Sequence, residues 1–419
     1  MSAPTSAELA SSQAGSAAPQ AVSVEDVEAA ADLLAGVVRT TPLEPSTALS
    51  ELVGGPVLLK CENLQHAGSF KIRGAYTRMA RLTAAERGRG VVAASAGNHA
   101  QGVALAARML GIEAAIWMPV GAPIPKVEAT RRYGAQVHLA GATVDEALTH
   151  AAARSAETGA VLVHPFDHVD VVAGQGTVGL ELLEQCPEVR TVVVCTGGGG
   201  LVAGIATVLA ARAPHVRVVA AQAAGAAAWP VSLEAGEPRA LAQMSTMADG
   251  IAVGKPGEVP FGLVRDLVDD VVTVSEESLS RALLLLLERS KLVVEPAGAA
   301  AVAAVMEDPG AFEPPVAVLC SGGNVDPLLL MRVIRHGMAA AGRYLGCRVR
   351  VTDRPGALSG VLAVLAGAGA NVVEVVHTRT AQGLEVDEVE IGLQLETSGE
   401  EHTTAVLTAL AAAGFRVVG

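Results

Sequence analysis

The chain has 419 residues, 51% of them hydrophobic and 2% aromatic, and a formal net charge of −13. That length and apolar content supply cores for two or three domains and exclude a disordered chain. The acidic balance, with no Lys/Arg-rich run, makes nucleic acid and anionic membranes poor partners and leaves a small-molecule enzyme of the cytosol as the starting expectation.

Residues 1–23 are rich in Ala, Ser, Pro and Gln, with neither a basic start nor a compact apolar run, so a disordered tail is predicted rather than a signal peptide. From Val24 onward short Val/Ala/Ile runs alternate with longer Ala/Leu-rich stretches. The pattern predicts strands over 57–60, 90–94, 114–118, 136–140, 161–164, 191–195, 216–221 and 315–320. Helices are predicted over 72–81, 99–110, 125–133, 144–158 and 201–212. Such β-α alternation gives mostly parallel sheets covered by helices, and strands buried on both faces read as continuous apolar runs. No repeat with the period of a solenoid is present.

Thr191 to Ala211 is uncharged and long enough to cross a bilayer, but four glycines interrupt it and favour a buried strand, a turn and a buried helix. Residues 355–373 are likewise uncharged and open on Pro-Gly, so no transmembrane helix is expected. The five cysteines are scattered without a C-x-x-C pair, which predicts reduced, buried thiols rather than a zinc knuckle or disulfide framework. The character of the chain changes near 339–346. Beyond it the order is strand 347–351, turn 353–356, helix 357–366, strands 371–377 and 385–395, helix 400–411 and strand 416–418. This βαββαβ order predicts a small ferredoxin-like α+β module.

Four segments of the body combine glycine with polar groups. In Gly68-Ser69-Phe70-Lys71-Ile72-Arg73-Gly74 a lysine precedes a helix, where the macrodipole disfavours its charge. A buried amine there has a lowered pKa and suits imine chemistry; a solvated surface lysine is the competing reading. Ser95-Ala96-Gly97-Asn98-His99 follows a strand and offers free N–H groups for a carboxylate or phosphate, or else is an ordinary capped turn. Gly197-Gly198-Gly199-Gly200 also joins a strand to a helix. It lacks the Gly-Lys-Ser/Thr of a P-loop, and although Gly198-x-Gly200-x-x-Ala203 fits a loose dinucleotide pattern, no acid occurs between Glu188 and Glu234 to hold a ribose. A single terminal phosphate fits better. Cys320-Ser321-Gly322-Gly323-Asn324 is by itself a plain glycine turn. In open parallel sheets such loops gather at one rim, where ligands bind.

In order and spacing the four segments resemble the tryptophan-synthase-β-like (fold type II) enzymes that use pyridoxal 5'-phosphate, and among them the threonine/serine dehydratases, over roughly residues 24–342. The resemblance implies a two-domain α/β body with parallel or mixed sheets flanked by helices: a larger cofactor-binding domain of residues 24–61 and 161–342 and a smaller one of 62–160. It implies that Lys71 bonds covalently to the cofactor and removes the substrate's Cα proton, while Phe70 packs beside the ring. Asn98 faces the phenolic oxygen, and Gly197, Gly198, Gly199, Gly200 and the Leu201 N–H cradle the phosphate. Ser95, Ala96, Gly97, Asn98 and His99 take the substrate carboxylate, and Ser321 meets the pyridine nitrogen with a neutral hydroxyl. The implied reaction is β-elimination of L-threonine to 2-oxobutanoate and ammonia, with L-serine giving pyruvate, in threonine degradation or isoleucine biosynthesis.

Two departures matter. Racemases of this family carry a Ser at the position of Ala96, so racemisation should fall well below dehydration. Members with a divalent-metal site use carboxylates in the segment aligned with 220–233, which has none here, so no metal is expected. Residues 347–419 resemble an ACT domain through Asp353-Arg354-Pro355-Gly356-Ala357-Leu358 and Asn371, which implies an amino-acid effector and a homodimer or homotetramer. The competing functions are racemisation or β-replacement on the same fold, and an amino-acid sensor without turnover.

Overall fold

The computed structural model describes residues 22–380 and 383–418. The predicted tail therefore lies outside the described residues up to 21, while Ser23 already forms a capping box with Asp26 at the start of the helix Val24–Leu34. The chain divides into two compact units between Pro327 and Leu328.

The first unit holds two sheets. The larger has the spatial order Leu43–Pro45, Val57–Lys60, Val316–Leu319, Thr191–Cys195, Arg217–Ala223, Asp270–Val274, and every neighbouring pair is parallel except the first. The smaller, Gln136–Leu139, Ala114–Met118, Val91–Ala94, Val161–Leu162, is parallel throughout. Central strands such as Thr191–Cys195 are buried at every position, as continuous apolar runs predict.

Two strands of the larger sheet escape the sequence pattern, Leu43–Pro45 and Asp270–Val274. Both are edge strands with exposed polar or charged positions, so neither reads as a buried run. Pro45 is tolerated at an edge, where its missing N–H costs no ladder bond. The predicted strand 161–164 is shortened to Val161–Leu162, although the Val163 N–H still donates to the Val92 carbonyl at 2.9 Å.

Close backbone packing fixes the helices behind the larger sheet. A Cβ on Gly204 would lie 2.4 Å from the Val172 carbonyl oxygen and 2.6 Å from the Gly176 nitrogen. Only glycines allow the helices Val169–Gln185 and Gly200–Arg212 to meet this closely. The helix Lys71–Ala80 is tied down by charge instead. Arg73, fully buried, donates from Nε and Nη2 to Glu62 at 2.9 and 2.8 Å and from Nη1 to Glu181 at 2.6 Å. Lys60, also fully buried, reaches the other Glu181 oxygen at 2.5 Å and the carbonyl of Thr41 at 2.9 Å. Burial alone would lift the Glu62 carboxyl, but the Arg73 guanidinium outweighs it and holds the group below the usual range.

The second unit, from Leu328, takes in the helix Pro327–Ala340, which the sequence pattern places with the body, and then the predicted βαββαβ module. Its antiparallel sheet has the order Asn371–Thr378, Glu388–Glu396, Tyr344–Thr352, Arg416–Val418. Helices Ala357–Gly367 and Glu400–Ala412 bury Val361, Leu365, Val406 and Leu410 against Val349, Ile391 and Leu393. All five cysteines are free and buried. Among the described residues no helix is long and apolar enough to cross a membrane, and no cluster of three or more His, Cys, Asp or Glu could hold a metal.

Candidate active site

Lys71 opens its helix, with Phe70 before it and no side chain capping the first turn. Its Nζ donates to the Pro165 carbonyl at 3.0 Å and lies 5.1 Å from the centroid of the Phe70 ring. Removal from water, partly countered by Glu295, pulls the amine down to about 8. The side chain is half-buried rather than fully solvated, and its lowered pKa leaves part of the amine neutral at physiological pH.

Lys71 lines a cavity of about 480 Å³ together with Phe70, Asn98, Gly197, Gly199, Gly200, Leu201 and Ser321. Strand Thr191–Cys195 delivers the glycine loop to this wall, and strand Val316–Leu319, its neighbour in the sheet, delivers Ser321. Gly199 has φ +98° and caps the helix Gly200–Arg212 without any side-chain bond, so the N–H groups of that first turn stay available. The loop is packed from behind, since a Cβ on Gly198 would fall 2.4 Å from the Phe166 ring and one on Gly199 2.4 Å from Trp229.

A wider cleft of about 1710 Å³ adjoins it, lined by Lys71, Ser95, Ala96, Gly97, Asn98 and His99 among others. Gly97, not Ser95 or Asn98, sits at the cap of helix Asn98–Leu110, and no side chain fills that role. Ser95 Oγ instead accepts from the Gly97 N–H at 3.1 Å. His99 is not free to bind with its ring: Nε2 meets the Val163 carbonyl at 2.8 Å, and burial drives the imidazole down to about 3. It stays neutral, with Nδ1 left as a weakly basic acceptor beside the backbone N–H.

Several residues of the site were not singled out by the sequence. Lys126 pairs with Asp249 at 2.6 Å on the wall of the wider cleft. Glu295 accepts a hydrogen bond from Asn98 Nδ2, and Asn324 Nδ2 donates to Asn98 Oδ1 at 2.8 Å. Glu295 did carry a signal, as the only charged residue between Lys291 and Glu307, at the head of an Ala-rich helix. A buried charge in such surroundings needs a reason.

Residues 34–322 match the family model described as pyridoxal-phosphate dependent enzyme, and residues 347–415 match the ACT domain. The chain belongs to the pyridoxal-phosphate-dependent enzymes. Within this family it is 46% identical over 400 residues to the L-threonine ammonia-lyase of Thermotoga maritima, covering 95% of this chain and 100% of that one. The solved T.th. threonine deaminase superposes with a TM-score of 0.69 at 43% identity, over 73% of this chain and 99% of that one. Maize serine racemase superposes at 0.72 with 37% identity, over 77% and 99%.

The cavity suits this family's cofactor on its own chemistry. A depressed lysine amine meets an aldehyde's needs, an uncapped helix start behind a side-chain-free loop meets a phosphate's, and Phe70 offers an apolar ring at the same wall.

Proposed function

We propose that the chain is an L-threonine ammonia-lyase that also accepts L-serine, yielding 2-oxobutanoate or pyruvate together with ammonia. One observation carries the reading of the site: the Lys71 amine, the glycine loop, Asn98 and Ser321 all border one cavity. The substrate is supported by identity to threonine ammonia-lyases over nearly the whole chain, C-terminal unit included.

In this reading Lys71 holds the cofactor covalently and Phe70 flanks its ring. Gly197, Gly198, Gly199, Gly200 and the N–H of Leu201 bind the phosphate, Asn98 the phenolic oxygen, and Ser321 the pyridine nitrogen. When bound, pyridoxal phosphate withdraws electrons from the substrate's Cα and so acidifies its proton. The protein supplies the rest. Once the substrate's own amine has taken its place, the freed Lys71 amine takes the proton, and a pKa of about 8 lets it be neutral when it must accept and protonated when it must give. Of the 95–99 turn, the Ser95 and Gly97 N–H groups are spent on the Trp117 carbonyl and Ser95 Oγ, so the N–H groups of Ala96, Asn98 and His99 orient the carboxylate. The Ser321 hydroxyl gives the pyridine nitrogen a neutral partner, which keeps the ring a weaker electron sink and favours elimination over transamination. Ala96 has no proton to deliver to the opposite face of Cα, which argues against racemisation even though a racemase shares the fold.

The cofactor lobe of 24–61 with 161–342 and the smaller lobe of 62–160 belong to the proposal. The two separate sheets support it, with the qualifications that Val161–Leu162 pairs into the smaller one and that residues from Leu328 onward cluster with the C-terminal unit. We also place an amino-acid effector at the ACT domain, where the Asp353–Leu358 turn borders a recess with His377 and Arg379. A homodimer or homotetramer in the cytoplasm completes the reading.

The test uses one cuvette. The protein, saturated with pyridoxal phosphate, should show a visible imine band and should accumulate 2-oxobutanoate when L-threonine is added. A band without product would reject threonine as the substrate; the absence of a band would reject Lys71 as the attachment site.

A further inference from the structure

Glu295 is 2% exposed and heads the helix Pro296–Glu307, yet its carboxylate caps nothing in that helix. It is turned instead onto Asn98 Nδ2. The other end of the same amide, Oδ1, accepts from Asn324 Nδ2, and Asn324 is itself anchored on the Ala67 carbonyl at 2.7 Å. Both ends of Asn98 are thus specified. Turned over, the amide would point oxygen at a carboxylate and nitrogen at a second NH₂ group. One Nδ2 hydrogen is spent on Glu295 and the other remains for the cavity that Asn98 lines.

The fold keeps space for this carboxylate. A Cβ on Gly322 would come within 2.3 Å of Glu295 Oε1 and 2.8 Å of Asn98 Nδ2, so a side chain at 322 and this pair exclude one another. The backbone closes the arrangement, with the Glu295 N–H donating to the Gly322 carbonyl at 3.0 Å. Four groups from four elements act on the carboxyl: Lys126 on Ile124–Arg132, Asp249 on Asp249–Ile251, Asn98 on Asn98–Leu110 and Lys71 on Lys71–Ala80.

We propose that Glu295 is a positioning residue: it fixes the Asn98 amide for the cofactor's phenolic oxygen and, on the wall of the cavity it shares with Lys71, favours the protonated form of the Lys71 nitrogen. The proposal rests on the cofactor reading above and adds a carboxylate to it. Burial lifts the carboxyl to about 7, against the pull of Lys126 and with the push of Asp249, so its charge changes within the working range of the enzyme. The Lys71 nitrogen feels that charge, which raises its own affinity for a proton.

The experiment is a pH titration of the visible absorbance of the reconstituted full chain without substrate. The parent should show an inflection near neutrality from Glu295 and a second at higher pH as the Lys71 nitrogen loses its proton. Glu295→Gln keeps the shape of the side chain and removes its charge. It should abolish the neutral inflection and move the alkaline midpoint down by about 1 pH unit, the effect of one lost neighbouring charge. Glu295→Asp should restore the neutral inflection. Asp249→Asn, which leaves Glu295 in place but removes a charge that lifts it, should move that inflection to lower pH and serves if Glu295→Gln does not fold. Identical titrations of the parent and Glu295→Gln, or of the parent and Asp249→Asn, would overturn the proposal alone. No visible band in the parent would overturn the cofactor reading and this proposal with it.

Discussion

Two clusters of buried ionisable groups flank the start of the helix Lys71–Ala80, and they are built to opposite ends. On one side Lys60, Glu62, Arg73 and Glu181 are saturated with partners. Arg73 uses both edges of its guanidinium, and Glu62 takes a third bond from the Thr41 hydroxyl at 2.6 Å. Burial raises the cost of each charge, and matched partners hold the central Glu62–Arg73 pair ionised. On the other side Lys71 and Glu295 have few partners and a cavity between their neighbours. The amine is drawn down to about 8 and the carboxyl lifted to about 7. The same residue types thus serve as an anchor where every lone pair is met and as chemistry where the charge is left close to neutralisation.

The sharpest way to break this contrast is to remove one group from each cluster. Lys71→Ala should lower 2-oxobutanoate formation from threonine by roughly 10⁴-fold, the upper range for a lost acid-base group, and erase the visible band. Its effect on folding should be small or favourable in the cofactor-free protein, because it removes an amine whose charge is disfavoured by partial removal from water. Arg73→Met should do the reverse. Leaving Glu62 buried without its partner is expected to cost about 3–5 kcal/mol in urea unfolding, and cofactor affinity would fall only as far as the fold does. If Arg73→Met unfolds like the parent, the network is not the anchor described here.

How far the two clusters were legible in the sequence follows from the same distinction. Lys71, Asn98 and the glycine loop stand out because each lies in a compact segment of unusual composition, whereas Ser321, in a plain glycine turn, is picked out only by the order and spacing of all four segments. The central strands are equally legible, since burial on both faces demands unbroken Val, Ala and Leu. Leu43–Pro45 and Asp270–Val274 are not, because an edge strand needs no such run. Lys126 and Asp249 stand in segments that look ordinary, and Glu295 shows only as a lone charge before an Ala-rich helix; what makes them matter is the meeting of distant elements, which no local pattern records. Arg73 was inside a segment singled out for Lys71, but its role depends on residues 11 and 108 positions away.

Acid and alkali should separate the clusters without any loss of activity to interpret. Glu62 has a depressed pKa, so the stability it lends is present above the unfolded value of 4.5 and disappears as pH falls. Glu295 has the opposite sign. Between pH 4.5 and about 7 the folded chain holds its proton more tightly than the unfolded chain, so stability declines as pH rises across that window. Lys71 reverses again: from about 8 to 10.5 the unfolded chain binds more protons, and stability climbs with pH. The cofactor-free protein should therefore show a dip in unfolding free energy between pH 7 and 8. Glu295→Gln should fill it by about 2 kcal/mol at pH 8 while changing little at pH 5. A dip of equal depth in that variant would place its origin elsewhere.

The smallest expected change tests the cavity cluster from its other face. Lys71 can serve one side of Cα, and Ala96, which lines the same wider cleft, has nothing to transfer from the other. Ala96→Ser adds one hydroxyl at the turn already held by the bond from the Gly97 N–H to Ser95 Oγ, so backbone geometry should persist. The hydroxyl is a weak acid with no strong base beside it, because the His99 ring, with one nitrogen on Val163 and a pKa of about 3, binds a proton only weakly. Racemisation of L-serine should accordingly become measurable by chiral product analysis, yet remain a minor route beside pyruvate formation, with the elimination rate within about 3-fold of the parent's. A racemase rate that overtakes elimination would mean that a proton donor on that face is all that separates the two reactions here. No D-serine at all would mean that the turn holds the hydroxyl away from Cα, and that the absence of a donor at 96 is not what keeps this site an eliminase.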